Sequence, residues 1–138
     1  MAEMVRVCKT GGRVAVADLA LPADKVAAYD QMEKLRDPSH VHVLTESELQ
    51  DLFQAMELRD IQRIGYLFEL ELKQLLSASF PESGDANRVQ AIFEADVGAD
   101  NLGIGVHRRG GEICFAYPIV ILVGTKSATA KDMAEASD

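Results

Sequence analysis

Short runs of small apolar and β-branched residues alternate with segments of helical periodicity along this chain, and this alternation predicts an α/β fold. The chain opens with a helical end, Met1 to Lys9, that Gly11 and Gly12 can terminate by adopting a positive φ. Arg13 to Ala17 is small and β-branched, which is typical of a strand buried on both faces. Asp18 follows at the carboxyl end of this strand, the end at which open α/β sheets bind ligands.

Two helices are predicted after this strand. Pro22 suits the first turn of a helix whose apolar stripe runs from Ala23 to Leu35. Pro38 ends that helix, because proline disfavours helical backbone at the residue before it. The segment Thr45-Glu-Ser-Glu48 is a capping box, and it predicts a second helix that reaches about Met56.

The next segment is predicted to contain a strand followed by a helix. Ile61 to Leu72 has a strand-like pattern, although Leu70 to Ser79 fits a helix equally well by periodicity. Ser83 or Asp85 can cap the helix that follows, over about Ala86 to Glu94.

A β-hairpin is predicted near the end of the chain. Arg108 to Gly111 is typical of a hairpin turn, and it lies between strand-like segments at Gly103 to His107 and Glu112 to Val123. The small, polar and alanine-rich segment 127–138 is predicted to be a disordered tail. We therefore expect one subdomain over residues 1–126.

Composition excludes several classes of function. The 138 residues are 48% apolar, which suffices for a core, and the formal net charge of −8 argues against nucleic-acid binding. Cys8 and Cys114 lie far apart among apolar neighbours, so we expect buried free thiols and no metal spacing. No apolar signal segment is found near Met1, and no apolar run is long enough to span a bilayer. We therefore expect a cytoplasmic protein without a membrane partner.

Two motifs carry a resemblance to a known family. Glu3-Met-Val-Arg-Val-Cys-Lys-Thr-Gly-Gly12, and Arg36-Asp-Pro-Ser-His40 followed by Leu44-Thr-x-x-Glu-Leu49, resemble segments of the C-terminal half of class I S-adenosylmethionine-dependent methyltransferases, in the group that acts on small molecules and quinone-type substrates. The resemblance covers about residues 1–125. It implies a partial Rossmann-like sheet with strands equivalent to the family's fifth, sixth and seventh, the seventh inserted antiparallel between the other two.

The family's cofactor loop has no counterpart in this sequence. That loop is a G-x-G-x-G turn, and the nearest approach to it, Gly103-Ile-Gly105, precedes a predicted hairpin and not a helix. Glu57 replaces the family's glycine after the second helix, so we expect a left-handed conformation there. S-adenosylmethionine is the parent family's cofactor, and we expect no tight binding of it and no methyl transfer by this chain alone.

The candidate site residues lie around the break between the two helices. By the resemblance, Asp37 and His40 are the candidate catalytic residues, and Arg36 and Asp18 are the candidate substrate-binding residues. The alternative is that Asp37 and Ser39 bind backbone amides around Pro38. His40 and His42 are expected to point to opposite faces of an extended segment, which predicts no shared metal site. Core packing is the default prediction for four aromatic residues that could also line a pocket: Tyr66, Phe68, Phe115 and Tyr117.

The missing half of the fold also predicts partners. The strand from Arg13 to Ala17 would have one unpaired edge and an uncovered apolar face, and both features favour association. We therefore expect a homodimer or a partner chain that supplies the missing strands. A binding or oligomerisation module is the alternative to an enzyme fragment, and an unrelated α+β fold is a third hypothesis.

Overall fold

The structure is a computed structural model, and it describes residues 1–128. The predicted tail therefore lies outside the described residues from residue 129 onward. Helices and strands follow one another in this order: α1 (Ala2–Val7), β1 (Arg13–Leu19), α2 (Ala23–Arg36), α3 (Glu46–Ala55), β2 (Leu58–Glu71), α4 (Leu72–Ser77), α5 (Asp85–Asp96), β3 (His107–Arg109) and β4 (Glu112–Lys126).

The sheet has β4 at its centre. β1 and β2 pair with it on either side, both antiparallel, and the short strand β3 forms the hairpin that leads into β4. This order confirms the predicted insertion of the last strand between the other two. Each outer strand therefore has one edge that pairs with no other strand among residues 1–128.

Helices cover the two faces of the sheet over different areas. Near α3, one face packs Val14, Val120 and Leu122 against Leu49 and Phe53. On the opposite face, α2, α4 and α5 cover only the part of the sheet next to β3, in the core cluster that contains Tyr29, Met32, Phe93 and Phe115. The register places the following residues on the rest of that face: Ala15, Ala17, Ile64, Tyr66, Phe68, Ile119, Ile121 and Val123. We call this set the open sheet face, because each of these residues is exposed or only half-buried.

Local sequence signals explain the ends of several elements. Thr45 and Glu48 form the predicted capping box at the start of α3, with the Thr45 hydroxyl accepting from the Glu48 amide at 3.2 Å. Glu57 adopts the expected positive φ, at 55°, and Gly11 does so at 75° before β1. The ambiguous segment divides cleanly, because β2 ends at Glu71 and α4 begins at the next residue.

Some sequence predictions are wrong. Within β1 only Val14 is buried, because the strand lies at the edge of the sheet and one of its faces is open. The cap of α5 is Gly84, with no side-chain hydrogen bond, in place of Ser83 or Asp85. Residues 103–106 form a loop and not a strand. Cys114 is buried as expected, whereas Cys8 is only half-buried.

Two of the aromatic residues also depart from the default prediction of core packing. Tyr66 and Phe68 are each 49% exposed, because no helix within residues 1–128 covers this part of β2 on the face to which they belong. Phe115 is fully buried, and Tyr117 packs against the core from its half-buried position.

Candidate functional site

A cavity of about 530 Å³ opens where β1 ends. Asp18 and Leu19 line it from β1, Tyr117 lines it from β4, and Arg36 lines it from the last turn of α2. The connection between α2 and α3 closes another side through His40 and neighbouring residues. The cavity therefore lies at the strand end that the sequence indicated.

Asp30 organises the connection between α2 and α3. Its carboxylate lies 2.7 Å from Nε2 of His40 and 2.8 Å from Nδ1 of His42, and it accepts a hydrogen bond from the Val43 amide at 2.8 Å. The same carboxylate therefore holds both histidines and the start of the segment that leads into α3. His42 also lies 3.6 Å from Glu48, which joins the cluster to the capping box of α3.

The contact of both histidines with one carboxylate contradicts the prediction that they face opposite ways. The prediction was wrong because residues two apart in an extended segment lie on the same face, so His40 and His42 both point toward Asp30. Val41, between them, points the other way and is 82% exposed.

Hydrogen bonds set the ionisation of this cluster. Burial acts to raise the pKa of Asp30, but the bonds from His40, the Val43 amide and His42 together lower it below its ordinary value. The Asp30 carboxylate raises the pKa of His42, with a further contribution from Glu48. With Asp30 ionised, His40 donates from Nε2, and a neutral ring keeps Nδ1 as a proton acceptor. An imidazole oriented by a carboxylate in this way is suited to general-base chemistry.

Arg36 is held by an acid from its own helix. Glu33 is 6% exposed and binds the Arg36 guanidinium through both carboxylate oxygens, with Nε at 3.0 Å from each. The Nη1 atom of Arg36 donates to the hydroxyl of Ser79 at 2.9 Å. The Glu33 carboxylate raises the pKa of Arg36, so this cation stays charged and neutralises a buried acid beside the cavity.

Two tyrosines form a neutral polar wall of the cavity. Tyr29 and Tyr117 both line it, and burial is the main reason that the pKa of each lies above its ordinary value. The Tyr117 ring packs edge-on against Phe115, and the Tyr29 ring lies edge-on to His40. Both phenols therefore stay protonated and can hydrogen-bond a ligand without adding charge.

The structure brings together three of the four candidate residues from the sequence. Asp18, Arg36 and His40 line the same cavity, although Asp18 also accepts from the Leu19 amide at 2.8 Å. Asp37 is not among the lining residues, and its carboxylate accepts from the Ser39 amide and hydroxyl at 2.9 and 2.7 Å. These bonds lower the pKa of Asp37, and the bond from the Ser39 amide is a local contact of the kind that the alternative predicted.

Sequence reasoning did not assign Asp30, Glu33 or Tyr29 to the site. It weighed His42 only as a metal ligand, and it placed Tyr117 in the core by default. Asp30 lies one helical turn from both Glu33 and Val26, so helical spacing puts it near the covered side of α2. No signal in the sequence connects that helix to the His40 segment, because their contact depends on how the chain turns after Pro38.

A larger cavity, of about 790 Å³, lies on the face of the sheet that carries α3. Its lining includes Thr45 at the start of α3, Pro118 in β4, and Gly65 and Leu67 in β2. Its cation, Arg63, is bound by Glu46 at 2.5 Å. In the part of the chain that the structure describes, no group of histidine, cysteine or acidic residues could hold a metal ion. Nor does any helix there have the length and hydropathy needed to cross a membrane.

Comparisons with known proteins identify the fold. No protein-family model matches the chain. The chain is 28% identical to the uncharacterized methyltransferase YcgJ of Bacillus subtilis (strain 168) over 129 residues, which cover 90% of this chain and 51% of YcgJ. It therefore spans about half the length of this curated relative.

Solved structures agree with this likeness. The crystal structure of YcgJ from Bacillus subtilis superposes with a TM-score of 0.76 at 21% identity, covering 93% of this chain and 56% of that chain. A putative methyltransferase from Bacillus halodurans C-125 superposes with a TM-score of 0.71 at 16% identity, covering 92% and 61%. The described chain thus has the α/β sheet and flanking helices of a methyltransferase fold over about half the length of these structures.

Proposed function

We propose that this chain supplies the acceptor-substrate side of an S-adenosylmethionine-dependent methyltransferase and transfers no methyl group by itself. The observation that carries the proposal is the cavity at the end of β1, in which His40, Tyr117 and Arg36 converge within a methyltransferase fold. The likeness to the methyltransferase YcgJ supports the reaction class.

The residues present do not fit the cofactor. A glycine cradle lets a ligand approach the backbone, but a Cβ at Gly103 would lie 2.9 Å from the side chain of Lys25, so protein atoms already fill that space. Gly12 is similarly enclosed by Cys8, at 2.7 Å. Gly105 has open space beside it, but it lies in a loop before β3 and not at the start of a helix. We therefore derive no catalytic step through S-adenosylmethionine.

The cavity itself suits a neutral, hydroxylated acceptor with an apolar body. Leu19 and Tyr117 offer apolar surface, and the phenol of Tyr117 offers a hydrogen bond without a charge. His40 would accept a proton from a hydroxyl group bound in the cavity. Arg36 would favour negative charge on that oxygen, although Glu33 already binds most of its donors.

Two titrations of the purified chain test this proposal. Calorimetry with S-adenosylhomocysteine should show no saturable heat, and one-site heat would refute the claim that this chain needs a complement. Amide shift mapping with 1-naphthol, a hydroxylated aromatic probe, should move the signals of Asp18, His40 and Tyr117. A His40→Gln variant should weaken these shifts, and an Asp37→Asn variant is the matched control. Shifts confined to other parts of the chain would refute the acceptor site.

A second candidate function is association with another chain. The open sheet face supports it, because Ile64, Tyr66 and Phe68 expose 55%, 49% and 49% of their surface on β2 alone. The outer edge of β1 supports it too, because no strand pairs with it among residues 1–128. A partner chain that carries the remaining strands of the methyltransferase fold would cover both features. Light scattering of the two co-expressed chains would detect the mass of their complex.

A further inference from the structure

The strand β2 has an outer edge whose sequence is complementary to itself. It pairs with β4 on one side only, and no backbone hydrogen bond outside the sheet uses its residues between 59 and 70 in the described chain. An irregularity between Arg59 and Gln62, where Asp60 has a positive φ of 51°, leaves residues 62–70 as the regular part of the edge. Such a long edge with large apolar side chains invites pairing with another strand.

We propose that two copies of this chain pair through β2, antiparallel and centred on Tyr66. A two-fold axis at Tyr66 places residues opposite each other when their numbers add up to 132. Arg63 then lies opposite Glu69 at both ends of the paired segment. Opposite charges in such cross-strand positions stabilise pairing, whereas like charges destabilise it.

The apolar residues fit the same register. Ile64 lies opposite Phe68 on the open sheet face. On the other face, Gly65, which has no side chain, lies opposite the large side chain of Leu67. Leu67 is 69% exposed in the single chain, and the Arg63 guanidinium, which lies over Gly65, would turn toward Glu69 of the second copy to make room for it. Residues two apart in a strand direct their backbone groups to the same edge, so both copies present matching donors and acceptors.

The charged residues have intramolecular partners that leave room for these contacts. Arg63 binds Glu46 through Nε and Nη2, which leaves Nη1 for a second acid. Glu69 binds Arg109 through Oε2 at 3.1 Å, and Oε1 has no bond to that arginine. The side chains of Arg63 and Glu69 are 50% and 58% exposed, so both can reach across an edge.

The other edge of the sheet lacks this complementarity. A two-fold axis at Val16 in β1 would place Asp18 opposite Val14 and Arg13 opposite Leu19, so no charges would pair. The two edges therefore favour different pairing partners. The edge of β2 favours a second copy of the chain, and the edge of β1 favours a strand of another sequence. The β2 proposal does not depend on the methyltransferase proposal, because it uses neither the cavity nor the cofactor.

Sedimentation velocity between about 5 and 500 µM tests the proposal, and we expect a monomer–dimer equilibrium. Glu69→Arg should raise the dimer dissociation constant about tenfold, because two like-charge pairs replace two opposite ones. The double variant Arg63→Glu with Glu69→Arg should restore the wild-type constant to within about threefold. Glu82→Arg, in an exposed turn, changes the net charge equally and is the matched control.

Disulfide trapping tests the register directly in a Cys8→Ser background. Tyr66→Cys should cross-link two copies on mild oxidation, because paired Cα atoms about 4.5–5.5 Å apart match disulfide geometry. Val16→Cys is the control at the centre of β1 and should not cross-link. A chain that stays monomeric throughout, a dimer insensitive to Glu69→Arg, or cross-linking that Val16→Cys matches or exceeds would each overturn the proposal. Far-UV circular dichroism shows that each variant compared is folded.

Discussion

Replacing Asp30 by asparagine should destabilise the fold in a pH-dependent way. The wild-type carboxylate receives bonds from His40, His42 and the amide of Val43, and Val43 itself is buried. Asparagine keeps an oxygen for one or two of these donors, but its NH₂ group faces a further donor and its charge is gone. One lost bond and one unfavourable contact should cost about 2 kcal/mol near pH 6.

The sign of the pH dependence follows from two pKa shifts. The pKa of His42 lies above its ordinary value of 6.5, so its contribution is complete below pH 6.5 and is lost as the pH rises through the raised value. The pKa of Asp30 lies below its ordinary value of 3.8, so its contribution is present above pH 3.8 and is lost as the pH falls through the lowered value. The stability gap between wild type and Asp30→Asn should therefore be largest between about pH 4 and 6.5.

Thermal unfolding followed by circular dichroism at pH 6 and pH 9 measures this gap. For a chain of this size, about 2 kcal/mol corresponds to a fall of roughly 6–8 °C in Tm at pH 6. Asp24→Asn is the control on the same helix, because the side chain of Asp24 is 75% exposed and its nearest cation lies at 3.9 Å. An Asp30→Asn gap that stays constant or widens from pH 6 to pH 9 would refute the assignment of this carboxylate as the partner of His42.

Three other substitutions probe packing and capping. Arg36→Met should cost about 3 kcal/mol in urea unfolding because it leaves Glu33 buried without a cation, and adding Glu33→Leu should recover most of that loss. Gly124→Ala should cost about 1–3 kcal/mol, because the new Cβ would lie 2.9 Å from the Cβ of Leu58, and an unchanged unfolding midpoint would contradict the packing. Thr45→Ala should cost about 1 kcal/mol by removing the cap of α3, whereas Thr45→Ser should retain most of the stability by the same measurement.

Local signals in the sequence predicted the elements because each depends on residues close in the chain. The capping box at Thr45 needs only the next three residues, and the positive φ of Glu57 follows from the end of one helix. The position of β4 between β1 and β2 is a long-range feature, and it came from the family resemblance and not from periodicity. Local sequence signals therefore predicted the ends of the elements, whereas only the family resemblance predicted the order of the strands.

The polar site was only partly predictable because its contacts join distant segments. The link from Asp30 to His42 spans twelve residues and a turn, and the link from Arg36 to Ser79 spans forty-three. Burial on the sheet was mispredicted for a related reason. An apolar strand is buried only where another element covers it, and no helix in the described part of the chain covers Tyr66 or Phe68 on β2.

The charged groups around the cavity have partners within the chain, whereas part of the apolar surface of the sheet is uncovered among residues 1–128. Around the cavity, the buried Glu33 is matched within the chain by Arg36, and the half-buried Asp30 is matched by two histidines and an amide. On the open sheet face, in contrast, Ile64 remains 55% exposed. The groups around the cavity are already paired, whereas exposed apolar surface gains about 25 cal/mol per Å² covered, so association should act mainly through the sheet. The cavity can therefore keep its geometry in the isolated chain, and binding of an acceptor probe can be tested separately from assembly.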